Sequence, residues 1–241
     1  MIPKFDYLKA SRANDIPTRQ GRIIYRLFEI LPAALAWVTI LGVFAASRWA
    51  PVFASFFVIA FDVYWLFKTV FLSFHLRAGY RQMQRHLTTD WMAKLRELKI
   101  ENSELKISRW DNVYHLIILP FYKESYEVVR HGLEAIAKSS YPKDRMMVVL
   151  GVEERAEAEA LEIARRLERE YGEKFFKFLI SVHPANIAGE LAGKGSNETF
   201  AAKKAKAELI DRAGIPYERV IVSSFDVDTV VPRDYFAILT Y

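Results

Sequence analysis

Arg145-Met146-Met147-Val148-Val149-Leu150-Gly151, with Glu154–Tyr171 close behind it, decides the fold class of this chain. The first segment is a short run of apolar, partly β-branched residues, the pattern of a strand buried on both faces. The second is rich in Ala, Glu, Leu and Arg and is the clearest helix in the sequence. The same alternation extends in both directions. Val113–Leu119 predicts a strand and Glu124–Lys138 a helix, while Phe175–Val182 predicts a third strand. Asn197–Ala213 predicts a helix after a Gly-rich turn, and Arg219–Phe225 a fourth strand. Strands alternating with helices of this length imply βαβ units, a parallel sheet and an α/β domain over 113–241.

The N-terminal third reads differently. No charge falls between Ile30 and Ala46, and Asp62 is the only one between Trp49 and Phe67. With flanks, Ile24–Ala46 and Trp49–Leu72 each reach the ~20 residues needed to cross a ~30 Å hydrocarbon core. The expectation is a transmembrane helical hairpin over 24–76. The alternative is a helical hairpin buried in a soluble core. Lys4, Lys9, Arg12, Arg19, Arg22 and Arg26 precede the first run, only Arg48 lies between the runs, and Lys68, Arg77, Arg81 and Arg85 follow. The positive-inside rule then puts residues 1–23 and everything after the second span in the cytoplasm, with the turn near Pro51 outside. Asp62 inside a span suits a packing or hydrogen-bonding role. Residues 77–112 form a linker, in which Arg77 to Ile107 read either as an amphipathic helix along the membrane surface or as an ordinary linker helix.

Composition narrows the chemistry. The 241 residues contain no Cys, which excludes a disulfide scaffold, a Cys zinc site and a Cys nucleophile. The formal net charge of +5 is modest, and the basic residues cluster beside apolar runs, so a membrane rather than a nucleic acid is the expected partner.

Parallel sheets bind ligands beyond the carboxyl ends of their strands. Four segments stand there: Pro120-Phe121-Tyr122-Lys123-Glu124, Glu153-Glu154-Arg155, the stretch from Gly189 to Asn197, and Phe225-Asp226-Val227-Asp228-Thr229. Asp226 and Asp228, two apart just past a buried strand, can converge on one hard cation, Mg²⁺ or Mn²⁺, or simply form an acidic surface turn. Gly193-Lys194-Gly195 can bring amides and an ammonium to a phosphate near a helix start at Asn197, although it lacks the spacing of a P-loop. Tyr122 can stack on a base or pack locally. Either Glu153 or Glu154 can accept hydrogen bonds from a base or ribose, the other complementing the helix dipole.

Taken together these segments resemble family 2 glycosyltransferases. Pro120-Phe121-Tyr122-Lys123-Glu124 resembles their Pro-x-Tyr-Asn-Glu segment, Gly193-Lys194-Gly195-Ser196-Asn197 their Gly-Lys-x-x-Asn stretch, and Asp226-Val227-Asp228 their metal-binding Asp-x-Asp. The two apolar runs resemble the membrane-integrated branch that includes cellulose and hyaluronan synthases. The resemblance implies a Rossmann-like GT-A domain over 113–241, at the cytoplasmic face of a cell (inner) membrane. It implies inverting transfer of a sugar from a nucleotide-diphosphate donor, UDP-sugar above all, to a glycan or lipid acceptor. Pro120, Tyr122, Glu124, Glu153, Lys194, Asn197 and Asp226 would contact the donor, and Asp226 and Asp228 would hold Mn²⁺ or Mg²⁺. Two departures stand out. Glu153-Glu154-Arg155-Ala156 replaces two acids followed by Gly-Ser, and the family's general base and Gln-x-x-Arg-Trp segment would fall beyond Tyr241, as in a C-terminally truncated domain. The rival readings are a haloacid-dehalogenase-type phosphotransferase with Asp226 as nucleophile, and a catalytically silent membrane scaffold.

Overall fold

The computed structural model describes residues 12–98, 109–187, 190 and 193–241. The chain divides into two compact units, Met1–Arg85 and His86–Tyr241.

The first unit carries two long helices. Helix α1 (Arg19–Trp49) starts where Thr18 Oγ1 accepts the Gly21 amide at 3.1 Å, satisfying one of the unpaired donors of the first turn. Helix α2 (Pro51–Thr88) begins two residues after α1 ends, with Pro in the first helical position, where its missing N–H costs nothing. Both are long and apolar enough to cross a membrane, and none of the most apolar window of either is buried. Side chains such as Leu41, Phe44, Phe56 and Phe67 are exposed. Among the described residues no core covers these windows, unlike the buried hairpin of the soluble alternative.

The polar stretch after the second apolar run is not a single separate helix. Helix α2 continues through it to Thr88, because nothing before Asp90 competes with the helical backbone. There Asp90 accepts the Ala93 amide at 2.9 Å and caps a new short helix, α3 (Trp91–Glu97). The Trp91 indole donates to the His86 carbonyl at 2.8 Å, an acceptor near the end of α2. The rest of the predicted linker helix, 99–107, lies outside the described residues.

The second unit is α/β. Strands β1 (Tyr114–Phe121), β2 (Met146–Glu153), β3 (Lys177–His183) and β4 (Val220–Ser224) form one parallel sheet in the order β3-β2-β1-β4. Side-chain alternation splits the two central strands between two cores. Ile117, Leu119, Met146, Val148 and Leu150 face Val129, Leu133 and Ile136 of α4 (Tyr126–Ala137) and Ala160, Ala164 and Leu167 of α5 (Glu157–Tyr171). Leu116, Ile118, Met147 and Val149 face Ala201 and Ala205 of α6 (Lys194–Ala205), and Leu209 and Ile210 of the π-helical segment Lys206–Asp211 that continues it. Full burial of one such side chain is worth about 1.5–3 kcal/mol, which is why β1 and β2 are continuous apolar runs. The last helix, α7 (Tyr235–Thr240), lies against α3, and the ring of Tyr241, just past its end, stands 5.3 Å from that of Trp91.

Several boundaries differ from the sequence expectation in a way that matters for the site. Strand β1 runs two residues further and takes in Pro120, opposite Gly151. Residues two apart in a strand present their backbone to the same neighbour. Phe225 N donates to Ile118 O at 3.1 Å, so the missing N–H of Pro120 falls beyond the end of the β4 ladder. Strand β2 likewise extends to Glu153, and β3 starts at Lys177 and ends at His183. Helix α6 begins at Lys194, three residues before the predicted start.

Candidate functional site

The chain winds from β1 outward to β2 and β3, then crosses to the other side of β1 to form β4. The carboxyl ends of β1 and β4 therefore flank a topological switch point, where open parallel sheets form their binding crevices. A cavity of about 240 Å³ lies there. Pro120, Tyr122, Glu124, Glu153, Lys194, Asn197, Asp226 and Asp228 all line it, although they come from four separate segments of the chain.

The acidic turn is held from both sides. Thr229 N donates to Asp226 O at 2.9 Å, and Val227 is buried in the core between the two exposed carboxylates. Burying the middle residue turns Asp226 and Asp228 outward together. Behind the turn sits Gly132 of α4. A Cβ there would stand 2.6 Å from Val227 O and 3.3 Å from Thr229 O, so only glycine lets the helix lie directly on this backbone.

Lys194, the first residue of α6, forms an ion pair with Asp226 and stands 3.6 Å from Glu198 Oε1. The Asp226 hydrogen bond is the main cause raising the Lys194 pKa above its ordinary value. Four carboxylates (Glu124, Glu153, Asp226 and Asp228) and this one ammonium line the cavity.

Asn197 is engaged in the scaffold. It is buried, and its Nδ2 donates to Gly151 O at 2.6 Å, tying α6 to β2. A Cβ on Gly151 would come within 3.0 Å of Asn197 Oδ1, so this glycine is what permits the close approach. Glu124 turns one carboxylate oxygen back onto its own loop, where Oε2 accepts the Tyr122 amide at 2.7 Å.

The two glutamates after β2 separate cleanly. Glu153 is buried at the cavity wall, whereas exposed Glu154 accepts the Ala185 amide at 2.7 Å and anchors the loop after β3. A buried carboxylate needs a partner, and Arg155 Nε donates to Glu153. This hydrogen bond is the main cause raising the Arg155 pKa. The Arg155 guanidinium also lies 5.0 Å from the centre of the half-buried Tyr122 ring, and Lys123 Nζ lies 5.4 Å from it. Arg155 thus bridges Tyr122 and Glu153, a role that sequence reasoning missed. Gly132 was missed as well.

The donor set suits a hard cation in part. Among the described residues no group of three or more His, Cys, Asp or Glu side chains is arranged to hold a metal by itself. Two carboxylates on one turn match Mg²⁺ or Mn²⁺, which commonly take one or two protein carboxylates and complete their shell with phosphate and water oxygens. No protein-family model matches this chain, and no curated protein matches it.

Proposed function

We propose that this protein is a membrane-bound glycosyltransferase that takes its sugar from a nucleotide-diphosphate donor, UDP-sugar first among them, and passes it to a glycan or lipid acceptor. In this reading the second unit is a Rossmann-like GT-A domain on the cytoplasmic side, and α1 and α2 are its membrane spans. The observation that carries the reading is the meeting of the Tyr122 loop, Glu153, Lys194 and the Asp226–Asp228 turn around one cavity between β1 and β4.

Charge defines what this cavity can bind. Four carboxylates against Lys194 and the Arg155 that pairs with Glu153 leave the site formally negative, by two charges. A diphosphate brings about two to three more, so its binding would require a divalent cation to offset the repulsion. Asp226 and Asp228 are the residues that would hold that cation. When bound, Mn²⁺ or Mg²⁺ supplies Lewis-acid stabilisation of the diphosphate leaving group. Lys194 leaves Asp226 and turns to the diphosphate, its single charge adding to that stabilisation. Tyr122, backed by Arg155, offers a ring face to the base, and Glu153 offers an acceptor. At about 240 Å³ the cavity accommodates part of a donor, below the ~300–1,000 Å³ of sites that enclose a whole drug-sized ligand, so the sugar extends outward toward the acceptor. In an inverting transfer the acceptor oxygen bonds to the anomeric carbon as the bond from that carbon to the phosphate oxygen breaks. The electron pair leaves with the nucleoside diphosphate. The hydroxyl proton goes to a base other than the donor-side residues named here.

Equilibrium titration of UDP onto the full detergent-solubilised chain in Mn²⁺ tests this. Wild type should bind, and Lys194→Met should weaken binding about tenfold or more, the order expected for loss of one charged hydrogen bond. Absence of nucleotide binding would refute the reading. Phosphorylation of Asp226 by a phosphoanhydride would replace it with the phosphotransferase.

A further inference from the structure

A shallow, open surface at the start of α1 is formed by Arg19, Arg22, Ile23, Arg26, Leu27 and Ile30. At about 100° per residue the three arginines fall within about 60° of one another, and the three apolar residues occupy the adjoining arc. A basic stripe therefore runs beside an apolar one. Arg26 is paired with Glu29 at 2.6 Å. Among the described residues no carboxylate pairs with Arg19 or Arg22. Ile23, Leu27 and Ile30 are each about half exposed or more.

Spacing along the helix assigns a depth to this stripe. At about 1.5 Å per residue, Arg26 and Arg48 are about 33 Å apart, the thickness of one ~30 Å hydrocarbon core plus a little. No charge other than Glu29 lies between them. If Arg26 marks one edge of that core, Arg22 and Arg19 lie about 6 and 10 Å further out, at the level of lipid headgroups. The ligand that fits has an anion at the height of Arg19 and Arg22 and a hydrocarbon chain descending along Ile23, Leu27 and Ile30.

We infer that this face of α1 is a binding site for an anionic glycerophospholipid. Arg19, Arg22 and Arg26 less Glu29 leave two positive charges, which a net-negative headgroup offsets. A zwitterionic headgroup contributes no net charge and brings a cation of its own beside the guanidiniums. The inference rests on the reading of α1 as a membrane span.

The test is native mass spectrometry of the delipidated full chain in a non-ionic detergent, with phosphatidylglycerol or phosphatidylcholine of the same acyl chains added back. Wild type should retain phosphatidylglycerol about thirtyfold more tightly, as expected for two basic groups near a headgroup. The Arg19→Gln/Arg22→Gln double variant should lose most of that preference, and excess inorganic phosphate should not displace the lipid. Equal retention of the two lipids, an unchanged preference in the double variant, or displacement by phosphate alone would each overturn the site while leaving the span intact. Retention of neither lipid would overturn the span and the site together.

Discussion

The Asp226–Asp228 turn depends on a residue that touches it only through space. Gly132 lies in the middle of a helix, where glycine usually costs about 1 kcal/mol relative to alanine. Here the added methyl of Gly132→Ala would stand 2.6 Å from a backbone carbonyl. Relief requires either the helix or the turn to move, so the substitution should destabilise the protein by about 1–3 kcal/mol despite its better propensity. It should also lower Mn²⁺-dependent nucleotide affinity, which a denaturation curve and a binding titration read separately. Wild-type stability with wild-type binding would show that the turn is not fixed from behind. His115 gives the pH prediction. It is fully buried, its Nε2 is 2.8 Å from Thr240 Oγ1, and the Tyr141 and Phe236 rings pack around it. Burial lowers its pKa from 6.5 to about 4. The folded state thus binds fewer protons than the unfolded one between those values. The stability concerned is fully present above pH ~6.5 and declines as the pH falls toward ~4, by roughly 2–4 kcal/mol in all. Thermal melts of wild type and His115→Phe across this range should show the steeper loss in wild type; parallel curves would contradict the burial argument. Asp226, Asp228, Lys194 and Glu153 were legible at this scale because each follows a buried strand or opens a helix beside one. Arg155 and Gly132 were not. Their partners, Tyr122 and Val227, are far away in sequence, and no local pattern encodes such a contact.

At the scale of elements, apolar runs and Ala/Glu-rich periodicity located all four strands and the helices between them. The ends were less legible. Lys194-Gly195-Ser196 reads as a loop because Gly and Ser are poor helix formers, yet the first turn has few hydrogen bonds to lose and tolerates them. Ser196 Oγ further secures that turn by donating to Gly193 O at 2.9 Å. The polar, basic composition of Arg77–Arg85 suggests a new element, but polar residues do not end a helix; a competing cap does. Asp90→Ala should therefore weaken the start of α3 and cost about 0.5–2 kcal/mol. Because α3 packs on α7 through Trp91, hydrogen exchange in both helices should accelerate together. Faster exchange in α3 alone would show that the two helices do not open as one. Leu133 in α4 is fully buried between helix and sheet, and Leu133→Ala should cost about 2–5 kcal/mol in a chemical denaturation experiment.

For the whole molecule, apolar composition separates a helical N-terminal unit from an α/β unit, and the structure keeps that division. Two helices with exposed apolar surfaces and a cavity formally negative by two charges are the two features a functional account must join. The glycosyltransferase proposed above would join them: its spans would hold the enzyme beside its acceptor, and the acidic cavity would select a donor that arrives with a divalent cation. Calorimetric titration of UDP into the full solubilised chain, with Mn²⁺ and then with EDTA, for wild type and Asp228→Asn, tests that claim most directly. The account predicts binding by wild type in Mn²⁺, loss of that binding in EDTA, and a drop of at least about tenfold for Asp228→Asn with its melting curve unchanged, since an exposed carboxylate contributes little to the core. Binding of equal strength in all four titrations would contradict it.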